Sequence, residues 1–555
     1  MIFLDDVSLP GTGDITGVFH NKSGDLVAVS SEFRRLTEPP ARRANAGRKP
    51  ARRLGLYRKG HRHPFAAFER HAFPVNDVAF HPDLPVLAIG AGSYDGGWSF
   101  DGELLLWNWK TNEIFHPMGQ TPEISRVAFS EGGDTVLAYA GPWDEGLGED
   151  DPSLGDIHDL YFLLSAPFTG DVPKDGDESS FAQLQIQHQN PVSGKTVEAD
   201  MRFAPKEDDI PGALSKLCGS GTLKTRSPIW DVAWFPDREI GFVHDDCLLQ
   251  TVRLDDERTN VLKGAGHGCE VFGGSDPIVH VTILIGEDAW PPAFHTKLYR
   301  YAKGGLAEMV ERPGAHTFSR SAKGSMLGRR DRSVLRLMPL SVRDAIYSNG
   351  EWKDVDLGDY EAINHFLRID DAPRLFFLKD YNLFWQPIDH WVPPRKRKWF
   401  CSLNDDLTIR RHWQIFEDDG SDASHAMECT FAFLQERSSQ SIFVAGEHYR
   451  RFSGKKVFCF LYKRDLKSGM EEWRVTLDAA ATTLKVIPEA NVVIAFLLNG
   501  KCRVFNQETG ARRKDMIFAP DGVSTAIVSC AVKGRDLLIG TIDGRVALAR
   551  LEDFL

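Results

Sequence analysis

The chain has 555 residues, more than one hydrophobic core usually supports, so it needs either several domains or a repeated unit. Its 42% apolar, 26% charged and 11% aromatic residues are those of a folded globular protein, and a net charge of -12 gives no general reason to bind nucleic acid. The acids at Asp5-Asp6 argue against a secretory signal, and the longest apolar run, Val492 to Leu498, is far short of the roughly 18 residues of a membrane span.

In chain order, Ile15 to His20 and Asp25 to Val29 read as two strands. A basic insertion, 32–53, follows. It carries Arg34, Arg35, Arg42, Arg43, Arg48, Lys49, Arg52 and Arg53, with Arg58, Lys59 and Arg62 just beyond and only Glu32 and Glu38 opposing them. It contains Pro, Ala and Gly and has no apolar period, so a flexible arm is expected, suited to contacting an anionic partner. The clearest segment comes next. Val75, Val78 and Phe80 form a half-buried strand, Pro82-Asp83 breaks it, Val86 to Ile89 forms a buried strand, and Asp101-Gly102 is expected to turn the chain into Leu104 to Trp107. A Gly-rich insertion from Asp95 to Phe100 carries Trp98, a candidate contact residue on a loop tip.

His71, Val75, Val78-Ala79-Phe80-His81-Pro82-Asp83, Asp101-Gly102 and Trp107-Asn108 together resemble the WD-repeat family, whose blades carry such a His, strand, D-G turn and terminal W-D. The resemblance implies a β-propeller. It departs from the pattern at Asn108, which stands for the final Asp, and at Ile89, which stands where the family's buried relay has Ser or Thr. His71, Asp101 and Trp107 can therefore make at most a partial relay.

Ile124 to Phe129 with Asp134 to Ala138 repeats the pattern. The stretch 142–226 doubles the normal blade length and begins acidic, with Asp144, Glu145, Glu149, Asp150, Asp151, Asp156 and Asp159, but lacks the ordered spacing of a calcium loop. Ile229 to Asp237 repeats the pattern again, and further starts fall near Val279, Thr317, Ala362, Cys429, Thr483 and Ile527. Arg395-Lys396-Arg397-Lys398, between Trp391 and Trp399, reads as a charged hairpin. In the last two copies Asn499-Gly500 and Asp543-Gly544 supply turns. No segment shows a sustained helical period.

The fold expected is all-β: a WD-repeat-like β-propeller array over 1–555, with about ten blade-like units as one large ring or two, a second ring then beginning near 315–360. The last unit has three strands, and Ile2-Phe3-Leu4 is expected to supply its fourth. Eight cysteines without a Cys-x-x-Cys pair argue against zinc or a disulfide framework, and Cys459 reads as a small buried residue, so a reducing, cytoplasmic compartment is expected.

Phosphate-loop, His-Glu-x-x-His and nucleophile-elbow motifs are absent, and no catalytic residue, metal or cofactor is expected. The function expected is a non-enzymatic scaffold within a protein complex, not at a membrane. By analogy of fold alone, it resembles propeller subunits of bacterial ATPase- or effector-linked systems. Arg42, Arg43, Arg48, Lys49, Arg52, Arg53, Arg58, Lys59 and Trp98 are the candidate partner-binding residues. The alternatives are a metal-assisted hydrolase or lyase with its site in the propeller channel, and nucleic-acid binding by the basic arm.

Overall fold

The computed structural model describes all residues except 1, 6–8, 34–50, 70, 72, 95–98, 118–120, 143–155, 169, 171–186, 189–190, 220–226, 245–246, 265–266, 286–292, 303, 315, 322, 331–343, 349, 356, 358–368, 370–371, 373, 381–397, 415–423, 436–438 and 451–457. Among the described residues the strands form ten antiparallel sheets, most of them four-stranded meanders. The chain divides into two compact units, one containing Val7–Phe33 and Lys49–Thr225, the other Met1–Asp6 and Arg226–Leu555. The division between the units lies near residue 226.

The larger unit begins with β1 (Ile2–Asp5). The smaller unit supplies the next fourteen strands. Its first sheet holds β2 to β5 (Asp14–His20, Leu26–Phe33, Ala51–Arg58, Ala66–Phe68). The second holds β6 to β10 (Val75–Phe80, Val86–Tyr94, Phe100–Asn108, Glu113–Phe115, Thr121–Pro122). The third holds β11 to β15 (Ile124–Phe129, Thr135–Ala140, Leu160–Pro167, Gln187–His188, Val192–Ser193). Val86 to Ala91 is buried throughout because both faces of β7 lie against other sheets, which is why this strand reads as a continuous apolar run. Ala28, Leu54, Leu56 and Phe68 pack the first sheet on Val75, Val78, Leu87 and Leu105 of the second. Ala88, Leu104 and Leu106 pack the second on Ile124, Val127, Val136 and Leu164 of the third.

The two outer faces of this stack are covered by helices, which sequence periodicity had missed. The helix Ile210–Cys218 lays Ala213, Leu214 and Leu217 on Val18, Val27, Val29 and Tyr57 of the first sheet. Val197, on the short helix Gly194–Ala199, joins Phe203 against Ala128, Tyr139 and Leu163 of the third. The signals of the longer helix were present: Asp209 caps the Gly212 N–H, Pro211 sits in the first turn, Ile210, Ala213, Leu214 and Leu217 share a face, and Gly219 ends it at φ 65°. At nine residues, this pattern is short enough to pass for a loop within an acidic stretch.

The larger unit continues with β16 to β19 (Asp231–Trp234, Glu239–His244, Cys247–Arg253, Thr259–Leu262) and β20 to β23 (His267–Phe272, Ile278–Ile285, Ala293–Ala302, Gly305–Pro313). The next two sheets are β24 to β27 (His316–Arg320, Met326–Arg330, Asp344–Ser348, Glu351–Val355) and β28 to β30 (Leu375–Asp380, Lys398–Leu403, Ile409–Gln414). Then come β31 to β34 (Ser424–Gln435, Gln440–Arg450, Phe458–Asp465, Glu471–Leu477) and β35 to β38 (Ala481–Ile487, Val492–Leu497, Lys501–Asn506, Arg512–Ile517). The last sheet is β39 to β41 (Ile527–Lys533, Asp536–Thr541, Val546–Arg550). As expected, β1 completes it, pairing Ile2 with Leu548 and Phe3 with Ala547.

An apolar cluster joins every consecutive pair of these seven sheets, and Ile229, Val232, Phe242, Leu538 and Val546 join the last to the first. The seven sheets form a closed ring. Polar side chains on the first strands reinforce it from sheet to sheet. The Asp231 carboxylate accepts the Val271 N–H at 2.8 Å, the Glu270 carboxylate accepts the Phe318 N–H at 3.2 Å, and the Ser529 hydroxyl donates to the Ile229 carbonyl at 2.6 Å.

Three further corrections concern local structure. Val279 lies on β21, so that sheet begins earlier, at His267. Asp101 and Gly102 lie inside β8 and make no turn: a Cβ at Gly102 would stand 2.5 Å from both the Ala91 and Pro122 carbonyl oxygens, so this glycine serves close backbone approach. At Gly500 (φ 79°) and Gly544 (φ 82°) the expected turns are present. The basic insertion is shorter than 32–53, because Phe33 pairs with Ala51 and strands claim both of its ends. The blade start near Ala362 and the basic run 395–397 lie outside the described residues.

Candidate partner-binding surface

Three departures from the repeat, the basic arm, the Trp98 loop and the first acidic stretch, are each the connection between the second and third strands of consecutive sheets in the smaller unit: β3 to β4, β7 to β8, and β12 to β13. The strand ends that hold them lie along one edge. Glu123 marks it: its Cα would be 2.6 Å from a Cβ at Gly92, near the end of β7, and its carbonyl accepts the Gly141 N–H just past β12. At the other side of β6, the guanidinium of Arg52 at the start of β4 lies near enough to His71 to act on its ring electrostatically.

The roots of these connections are firmly built. Tyr94 and Phe100, the residues flanking the Trp98 loop, pair across the strands with ring centroids 4.8 Å apart, and His158 packs on both rings at 5.0 and 5.4 Å. The Asn76 amide donates to the Glu123 carboxylate at 3.0 Å, and burial pushes the Glu123 carboxyl above its usual range. Tyr94, Asn76, Glu123 and His158 were not singled out from sequence. Each is a lone residue there, and only strand pairing and sheet stacking bring them together.

The nine candidate residues divide into three groups. Arg42, Arg43, Arg48, Lys49 and Trp98 lie outside the described residues. Arg52 and Arg53 lie within β4 and serve the fold: Arg52 Nε donates to Glu32 at 2.6 Å, while Arg53 is buried, pairs with Glu69 and donates to the Gly11 carbonyl at 2.8 Å. Arg58 and Lys59 are exposed at the far end of the same strand, roughly 20 Å away at about 3.3 Å per residue.

In the best blade His71 and Trp107 belong to an aromatic stack. His71 lies on Phe68 (5.4 Å, 16°), Phe68 lies on Trp107 (5.3 Å, 29°), and Trp107 Nε1 donates to Asn112 at 3.2 Å. Ile89 packs in the surrounding core. Among the described residues no group of three or more His, Cys, Asp or Glu is arranged to hold a metal ion, and His280 and His316 are fully buried in the ring. Cys401, Cys459, Cys502 and Cys530 are buried. No helix among the described residues is long and apolar enough to cross a membrane.

No family model matches the chain, and no curated protein matches it in sequence. Among solved structures it is similar to a chain of a mitotic checkpoint complex, at 10% identity and a TM-score of 0.36, over 59% of this chain and 91% of that one. It is similar to the WD40 β-propeller domain of Doa1 at 13% identity and a TM-score of 0.33, over 59% of this chain and 93% of that one. It is also similar to YCF48 bound to a D1 peptide, at 12% identity and a TM-score of 0.37, over 59% of this chain and 94% of that one. Among the described residues, ten antiparallel sheets, seven of them closed into a ring, give this chain an all-β, propeller-like architecture.

Proposed function

We propose that the chain is a non-enzymatic, cytoplasmic interaction scaffold that holds a partner protein in a multi-protein complex. The partner engages the edge of the three-sheet unit from which the basic arm and the Trp98 loop extend, with Arg42, Arg43, Arg48, Lys49 and Trp98 as its contacts. One observation carries this reading: the long connections of three consecutive sheets leave one edge, from strand ends locked by Tyr94, Phe100, His158, Asn76 and Glu123. Rigid strands bearing variable connections are how such folds separate stability from recognition. Several cations with one aromatic suit an acidic protein surface that offers a pocket for a ring.

The test is affinity purification from the native host with Arg42, Arg43, Arg48 and Lys49 changed to Ala and Trp98 changed to Ala. Arg52 and Arg53 stay intact because their loss would damage β4. Loss of one or more partners is expected, and an unchanged partner list would reject the reading.

A further inference from the structure

We propose a second interaction surface on the opposite edge of the three-sheet unit, the turn from β4 to β5, which binds an acidic polypeptide segment. Arg58, Lys59, His61, Arg62 and His63 are all exposed there within six residues. Arg58 and Lys59 make no ion pair among the described residues, so their charge faces solvent. Lys216, exposed on the last turn of the helix Ile210–Cys218, adds a further cation on the element against which this turn is tied.

The turn is held in place. Gly60, at φ 81°, donates its N–H to the Leu217 carbonyl at 3.0 Å, fastening it to the C-terminal end of that helix. The His61 N–H returns to the Arg58 carbonyl at 2.9 Å, and the Phe65 N–H to the Leu56 carbonyl at 2.8 Å. Arg58 lies over the Phe65 ring at 5.2 Å, and that ring remains 40% exposed. Arg62 is close enough to the half-buried Cys218 to act on its thiol. A site whose backbone is already fixed pays less ordering entropy on binding.

The size of the patch favours polypeptide over nucleic acid. Salt-sensitive binding to nucleic-acid backbone typically draws on about 6–10 phosphate contacts, whereas this turn offers three permanent cations beside one aromatic. The chain's net charge of -12 also repels a long polyanion more than a short acidic segment. Two or three carboxylates next to an apolar side chain match the Arg58, Lys59, Arg62 and Phe65 grouping.

The experiment uses the full chain with Arg34, Arg35, Arg42, Arg43, Arg48 and Lys49 already changed to Ala, so the arm offers the probe no cation and failure of the scaffold reading stays distinguishable. Fluorescein-labelled octaglutamate and a labelled oligothymidine are titrated by anisotropy at low salt. The expected result is tighter binding of octaglutamate than of oligothymidine. Arg58→Glu with Lys59→Glu should weaken the peptide about tenfold or more, while Arg512→Glu with Arg513→Glu, the same charge change on the exposed part of β38, should leave it within about twofold. Absence of peptide binding, equal weakening by both pairs, or tighter binding of oligothymidine would overturn the proposal. Circular dichroism and the melting temperature confirm that each variant is folded.

Discussion

His71 provides a sharp test of the packing in the three-sheet unit. Burial, aided by the nearby Arg52 charge, depresses its pKa from 6.5 to about 3, and its Nδ1 has no hydrogen-bond partner among the described residues. The folded state therefore keeps a neutral ring while the unfolded chain takes up a proton below about pH 6.5. For a histidine with a depressed folded pKa, stability is fully present above 6.5. It falls by about 1.4 kcal/mol for each pH unit below that until the folded pKa is reached. At pH 5, 1.5 units below 6.5, the loss from this one group is about 2 kcal/mol, and this figure does not depend on the folded pKa as long as it stays below about 4.

Replacing His71 with Phe keeps a flat ring on Phe68 and removes the titration. The assay is native-state hydrogen exchange by mass spectrometry on peptides covering β6 to β8, since a chain with two units does not support a single unfolding free energy. Between pH 7.5 and 5, after correction for intrinsic exchange, wild type should lose about 2 kcal/mol more protection than His71→Phe. Equal losses in the two proteins would show that His71 is solvated or already charged in the fold, and the stacking argument would fail.

Asp77 and Arg126 are both buried, with Nε 3.1 Å from Oδ2, and the same oxygen accepts the Val127 N–H at 3.0 Å. Asp77→Ala should cost the three-sheet unit about 3–5 kcal/mol, read as lost exchange protection in β6 and β11, and a loss under about 1 kcal/mol would refute the account. Deleting residues 1–5 should unprotect the amides of Val546 to Leu548 and produce concentration-dependent association through the exposed β41 edge. Unchanged exchange with a monomeric elution profile would count against completion of the last sheet by β1.

Repetition made the architecture legible. Strand pairs such as Ile124–Phe129 with Thr135–Ala140, and the Asn499-Gly500 and Asp543-Gly544 turns, recur at blade spacing, and even the pairing of β1 with β41 could be anticipated from an unfinished last blade. Single residues misled. Asp101-Gly102 has the composition of a turn, but its glycine answers to the Ala91 and Pro122 carbonyls pressed against it, a constraint set by neighbouring strands and invisible along the chain. The candidate surface suffered in the same way. A run of arginines looks uniform in sequence, yet strand alternation buries Arg53 beside Glu69, leaves Arg52 against Glu32, and carries Arg58 to the opposite edge. The number of rings was out of reach because closure depends on which apolar faces meet, and helix caps replace further sheets in the smaller unit.

The pairing of Ile2 with Leu548 also sets an order of events during synthesis. β1 is made long before its partner β41, so the ring cannot close until translation has passed residue 550. The three-sheet unit lies between them in the chain and has every partner it needs by about residue 219, so it can fold while the rest is still being made. The β1 segment must then wait, tethered to an already folded neighbour, and any delay there leaves the β41 edge open for another nascent chain to fill.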